Sequence, residues 1–313
     1  MIKHILVVID SIPQGDSAVA HAASLGTTLG ARITLVSGLH PNLYETVKND
    51  ATKRLMYKVA IENRLNEMAA HLRNAGLSVR RVILDCLDSN SVIAYAQQND
   101  VQLLVTANKG QRVTELVHGL SANQQFPLLI TRQNGAALDY LAIKPYQKLL
   151  LPFDGSLRAE DAFPLATFLA RAFRAELLIG QVVRKPRLLS RLSPHDPLTI
   201  EEEEVTERLI DYNRRTAANY LQKLEHRLPA TVETRLLVSE QVADTLHKLA
   251  ESEGVDIIVL CTHGASGSPQ WAYGSVANSF IAYSSKPVLV VPVQELAEDF
   301  QVDELFSVSI DDR

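Results

Sequence analysis

The sequence predicts an α/β protein of two tandem doubly wound domains, each a five-stranded parallel sheet flanked by helices. Three observations carry that prediction. The chain has 313 residues, a length that suits two domains of the usual size, about 100 to 200 residues each. Its two halves repeat one another in register. Within each half, short apolar runs alternate with longer stretches of helical period, the pattern of βαβ units on a parallel sheet.

The repeat opens where Ile5 to Asp10 (ILVVID) matches Leu149 to Asp154 (LLLPFD), an apolar run ending in aspartate. A helix-like stretch follows each aspartate, and at equal spacing Ala31 to Val36 matches Ala175 to Gly180. Val101 to Gly110 then aligns without gaps to Val255 to Gly264, and each half closes on a proline-led strand, Pro127 to Thr131 and Pro287 to Val291. In the second half the strands are expected near 147–153, 176–183, 232–238, 255–261 and 287–293, with helices between them. Nearly continuous apolar strands such as Ile257 to Leu260 suit a sheet covered on both faces. The expected domains are 1–133 and 146–294, joined by a linker near 133–146 and followed by an acidic tail, 295–313. The tail, with Glu298, Asp299, Asp303, Glu304, Asp311 and Asp312, reads as a solvated extension or a docking segment.

Arg184 to Glu204, with three prolines and four consecutive glutamates, reads as a mobile excursion between the second strand and a long helix ending near His226. Glu201 to Glu204 read as a solvated helix start that the helix dipole favours. Arg184, Lys185, Arg187 and Arg191 read as a solvated loop, with an anion clamp as the alternative.

Composition narrows the function. Apolar residues make up 46% and charged residues 21% of the chain, as in ordinary globular proteins. A net charge of -5 offers no broad basic surface, which argues against a nucleic-acid partner. Two cysteines, Cys86 and Cys261, are too few for a disulfide framework. With neither a signal-peptide pattern nor a run of roughly 18 apolar residues, the expectation is a soluble, cytoplasmic protein with no membrane partner.

In doubly wound sheets ligands bind beyond the carboxyl ends of the strands. Three such places stand out in the second half. Asp154, after the first strand and before Gly155-Ser156, reads either as a ligand to ribose or to a metal on phosphates, or as a helix cap. Val182 ends the second predicted strand, where backbone groups meet an adenine edge or the residue is plain core. Cys261-Thr262-His263-Gly264, then nine residues, then Gly274-Ser275-Val276-Ala277, forms a turn and helix start able to cradle phosphates with backbone amides. His263 reads as a neutral turn histidine, or as a phosphate contact or pH sensor. Cys261 reads as a small buried hydrophobe, or as a redox switch.

At these residues the sequence resembles the universal stress protein family, over nearly the whole chain and most clearly from Lys148 to Val293. The resemblance implies Rossmann-like, adenine nucleotide α-hydrolase-like domains. Nucleotide-binding members carry G-x2-G-x9-G-[ST], whose positions are occupied here by Cys261, Gly264, Gly274 and Ser275. By resemblance the ligand is ATP, or AMP or ADP, with or without magnesium. Pro152, Asp154, Val182, Cys261, His263, Gly264, Gly274, Ser275, Val276 and Ala277 would line its site. Cysteine for the first glycine would crowd phosphates if the turn required a positive φ. The first half keeps Asp10 and Gly110, but its signature is broken: Gly119 comes one residue early and Leu120 follows it where a hydroxyl belongs. That half is therefore expected to be structural, with Lys109 leaving another anionic ligand open.

No GxSxG, HExxH or CxxC motif occurs, nor any P-loop, GxGxxG or SGGxDS-type loop. The expected function is a stress-response module whose second half holds a regulatory adenine nucleotide, with at most slow ATPase activity. The alternative is a scaffold without nucleotide, acting through an unidentified protein partner. In families of this kind the last strands pair across a dimer axis. Pairing Pro127–Thr131 with Pro287–Val291 would therefore make an intrachain pseudo-dimer and cover two apolar edges; a homodimer of the whole chain stays open.

Overall fold

Ten strands form one continuous sheet. The computed structural model describes residues 2–10, 15–108, 115–123, 125–132, 145–185, 200–264 and 273–293. In chain order the first half runs β1 (His4–Val8), α1 (Gly15–Leu29), β2 (Arg32–Leu39), α2 (Pro41–Val47), α3 (Ala51–Asn74), β3 (Val79–Cys86), α4 (Ser89–Gln98), β4 (Leu103–Asn108), α5 (Glu115–Ala122) and β5 (Leu128–Arg132). The second runs β6 (Lys148–Phe153), α6 (Leu157–Glu160), α7 (Phe163–Phe173), β7 (Glu176–Arg184), α8 (Ile200–Arg227), β8 (Val232–Ser239), α9 (Val242–Ser252), β9 (Ile257–Cys261), α10 (Ser275–Tyr283) and β10 (Val288–Val291).

The sheet order is β3-β2-β1-β4-β5-β10-β9-β6-β7-β8. Each half is parallel within itself, and the two meet where β5 and β10 pair antiparallel, Ile130 opposite Val288 and Leu128 opposite Val290. The two apolar edges nominated by sequence thus cover each other. Alternation along the strands feeds two cores. Ile5, Val7, Leu149 and Leu151 point to the face packed by α1, α3, α7 and α8. Leu6, Val8, Leu150 and Ile258 point to the face packed by α4, α5, α9 and α10. Burial on both faces is why these strands are apolar at nearly every position.

Local signals set the helix ends. Asp50 and Asp88 cap α3 and α4 by accepting from Lys53 N and Ser91 N at 3.0 and 2.9 Å. Arg174, at φ 54°, ends α7 in the left-handed region, so β7 can start two residues later.

Strand and helix bounds correct three details. Strand β7 continues past Val182 to Arg184, so Val182 is not its last residue. Helix α8 begins at Ile200, so the glutamate run belongs to its first turns, and the excursion is shorter than Arg184–Glu204. Gly119 lies inside α5, at the position matching Ser279 of α10, since α5 and α10 both start twelve residues before the proline preceding the last strand. A Cβ on Gly119 would lie 2.4 Å from Ser89 Oγ, so this glycine serves the contact between α4 and α5. The residue that matches Ser275 is Glu115, an acid in the first turn of α5. Lys109, Gly110, Arg187, Arg191, most of the linker and the acidic tail lie outside the described residues.

Candidate functional site

The site grows from a break in the sheet. In the first half β1 pairs β4 from Ile5↔Leu103 through Val8↔Thr106. In the second half β6 pairs β9 at Leu149↔Ile257 and Leu150↔Ile258 and no further. Beyond Leu150 the strands part, although β6 stays paired to β7 as far as Phe153↔Gln181. Pro152 stands where the first half has Val8, and a proline has no N–H to give to a ladder. Strand β6 sits at the switch point of its half, with β7 on one side and β9 on the other, so the break opens a crevice at the strands' carboxyl ends.

That crevice is a cavity of about 90 Å³. All ten residues nominated by sequence line it: Pro152, Asp154, Val182, Cys261, His263, Gly264, Gly274, Ser275, Val276 and Ala277. It borders a groove of about 780 Å³ between α9 and α10, with which it shares Val242, Ser275 and Val276.

Each wall has its own local cause. Asp154 does not cap a helix. Its Oδ1 accepts from Ser156 N at 3.0 Å and from the Ser156 hydroxyl at 2.6 Å, while Ser156 itself caps α6. Gly155 makes that turn possible at φ 83°. The other carboxylate oxygen stands over Gly264, where a Cβ would come within 2.0 Å of Oδ2. Close approach, rather than a positive φ, is thus what this position demands of glycine.

Cys261 is the last residue of β9 and is absent from the positive-φ residues. The crowding expected of a left-handed turn does not arise. Its Sγ contacts the Ala159 carbonyl oxygen at 3.7 Å within the core of the α7–α8 face. Burial pushes its thiol up to about 12, helped by the charges of Asp161 and Asp154, which fits a small buried hydrophobe rather than a reactive thiol.

At the far wall, Gly274 precedes α10 in extended conformation, φ -66° and ψ 163°, and among the described residues no side chain caps the helix. The Gly274 amide is not part of an open cradle, because it donates to Thr262 O at 2.7 Å. The open amides are those of Ser275, Val276 and Ala277, which have no intrahelical acceptor. A Cβ on Gly274 would meet nothing nearer than Thr262 O at 3.6 Å, so the chain's own packing does not require glycine there. Next to it Thr262 is almost fully buried, and its hydroxyl has no hydrogen-bond partner among the described residues. An orphaned buried hydroxyl, uncapped amides at the positive end of a helix and space in front of a glycine make a donor set suited to an anionic, oxygen-rich ligand.

Val182 gives the cavity its β7 wall. Its backbone has strand neighbours on the β8 side, at Leu237, while β6 has already ended. His263 is buried in the wall. Sequence reasoning held Thr262 within its phosphate segment without singling it out, gave Gly155 no role, and missed Val242 and Leu246. Thr262 lay inside the nominated motif without a distinguishing signal, and the two α9 residues carry only helical periodicity.

Among the described residues no group of three or more His, Cys, Asp or Glu side chains is arranged to hold a metal ion. None of their helices is long and apolar enough to cross a membrane.

Similar proteins agree with this architecture. A chain of Staphylococcus haemolyticus assigned to the universal stress proteins is 30% identical over 156 residues, which span 50% of this chain and 90% of its own length. A universal stress protein from Archaeoglobus fulgidus superposes over 92% of this chain and 97% of its own at a TM-score of 0.65 and 14% identity. A functionally unknown protein from Pseudomonas aeruginosa does so over 93% and 92% at 0.62 and 17% identity. Both share the overall fold at identities that speak for fold alone. The model of the universal stress protein family matches residues 1–124 and again 145–292, and on that double match the chain belongs to the universal stress protein family.

Proposed function

We propose that the second half binds one adenine nucleotide, ATP or its AMP and ADP relatives, as a regulatory ligand. The first half is structural, and the chain serves the cytoplasmic stress response through protein partners whose contacts depend on occupancy. The observation that carries this reading is the meeting of the ten nominated residues in one crevice at the uncapped start of α10. The amides of Ser275 to Ala277 and the hydroxyls of Ser275 and Thr262 would hold phosphates, Asp154 the ribose, and the Val182 backbone the adenine edge. The enclosed cavity is smaller than the roughly 300 to 1,000 Å³ of common ligand sites, so the bordering groove must supply room.

Magnesium would enter with the phosphates, with Asp154 as the one carboxylate among the described lining residues. The cavity lining includes neither lysine nor arginine, and in the bordering groove Arg184 and Lys248 stand among Glu240, Asp244 and Glu251, so developing phosphoryl charge gains little help and any hydrolysis is slow.

The first half keeps Asp10 where the second has Asp154 but differs at two other points. Its β1–β4 ladder closes the crevice, and Glu115 places a carboxylate at the start of α5, where phosphates would have to sit. The small cavity favours one competing reading, a scaffold that holds no nucleotide. Thermal melting with and without ATP separates the two. At a ligand concentration about 100 times Kd, binding adds about 2.7 kcal/mol and raises the melting temperature. The Gly274→Asp variant should lose that rise, and an unchanged wild-type melt in saturating ATP would favour the scaffold.

A further inference from the structure

We propose that Arg132, in the first half, is a positioning residue for the nucleotide site of the second: it braces α10 from behind, and with it the amides that face the cavity. The inference rests on the nucleotide reading above and adds a role for the first half.

The antiparallel β5–β10 ladder carries the end of β5 past the start of β10, to where α10 finishes. There the Arg132 guanidinium donates to the Ile281 carbonyl at 2.7 Å and also to the Ala282 carbonyl. These lie in the last turn of α10, whose carbonyls have no intrahelical donor, and a cation is favourable at that negative end. The backbone of Arg132 is itself tied to α1, because the Ser17 hydroxyl donates to Arg132 O at 2.9 Å.

Helix α10 has nine residues, too few to hold its shape or aim unaided. Its anchors are the Gly274–Thr262 bond at the front, His247 on its flank and Arg132 at the rear. His247 Nε2 lies 3.1 Å from Ser279 Oγ, and its ring is 4.2 Å from that of Phe280. The rear anchor comes from the other half, as does the edge-on contact of His118 in α5 with Tyr273 before the front of α10, and the rear anchor runs one way. Position 292 matches position 132 in the repeat, and Pro292 has no side-chain donor to offer α5.

The experiment is ATP titration by calorimetry on the full chain at pH 7.5, for wild type, Arg132→Ala, Arg132→Lys and His21→Phe. His21 joins the halves elsewhere, through Tyr146, and serves as the control for general loosening. Losing a charge-assisted brace should raise Kd about tenfold in Arg132→Ala, with Arg132→Lys recovering most of the affinity. His21→Phe should melt earlier with Kd unchanged. Hydrogen exchange of the wild type gives a second reading that no variant can spoil: ATP at the front of α10 should slow exchange of the Ser284 amide, which closes its rear turn on Phe280 O. A wild type that binds ATP, with Arg132→Ala within twofold of it or Ser284 exchange unaffected, overturns the brace and leaves the site standing. A wild type that binds no nucleotide overturns the site, and the brace with it.

Discussion

The carboxylate of Asp154 lies directly over Gly264, with Oδ2 only 2.0 Å from where a Cβ on that glycine would stand. The residue that follows the first strand of the second half and the residue that turns away from its fourth strand are thus fitted to each other across the crevice. Gly264→Ala should push the Asp154 side chain aside while leaving the sheet intact. The expected result is a melting temperature within a few degrees of wild type and ATP affinity at least about tenfold weaker, because the ribose contact proposed for Asp154 would be lost. Calorimetric titration beside a thermal melt reads both.

Gly274 behaves differently, since a Cβ there meets only ordinary contacts. Gly274→Ala should fold and melt as wild type does. Gly274→Asp should melt higher, because a carboxylate at an uncapped helix start is worth about 1 kcal/mol. Both should bind ATP more weakly, the aspartate most of all. Stability and affinity moving in opposite directions would separate a ligand cradle from a merely structural helix start, and unchanged affinity in both would argue against the cradle.

Pro152 is the wedge that ends the β6–β9 ladder. Restoring an N–H with Pro152→Val, the residue of the first half, should let the ladder run on as β1–β4 does. The expectation is a more stable protein by about 1 kcal/mol with weakened nucleotide binding. A structure of the variant with the crevice still open would contradict this account of its origin.

Much of this was legible in the sequence, for identifiable reasons. The strand runs were legible because both faces of the sheet are buried, which leaves apolar residues such as Ile257 to Leu260 at every position. The β5–β10 junction was implied by the family resemblance, and two apolar edges that needed covering made it physically sensible. What escaped depends on contacts between segments distant in sequence. Thr262 is notable only because its hydroxyl has no hydrogen-bond partner among the described residues. Gly119 looked like a displaced signature glycine until its close approach to Ser89 placed it inside a helix. Arg132 drew no notice because its partners are backbone carbonyls about 150 residues away.

Cys261 provides a negative prediction. Because it is not among the positive-φ residues, Cys261→Gly should change ATP affinity by less than about threefold, and it should cost about 1 kcal/mol of stability through lost packing and strand flexibility. With the thiol pushed up to about 12, iodoacetamide at pH 8 should leave Cys261 unmodified in the folded protein.

Acid sensitivity should concentrate at the seam between the halves. Burial pushes His21 down to about 4, against an ordinary 6.5. The unfolded chain therefore takes up this proton first as pH falls, so stability held above pH 6.5 is lost between 6.5 and 4, on the order of 3 kcal/mol in full. Burial lowers His4 and His247 in the same direction. Urea unfolding at pH 7.5, 5.5 and 4.5 should show a shallower pH slope for His21→Phe than for wild type.

The most direct test of the central claim is native mass spectrometry of the full chain, purified without added nucleotide and then incubated with Mg-ATP or AMP. One bound nucleotide per chain, abolished by Gly274→Asp, is the predicted result. Two per chain would contradict the asymmetry between the halves, and none in a folded sample would contradict the nucleotide site itself.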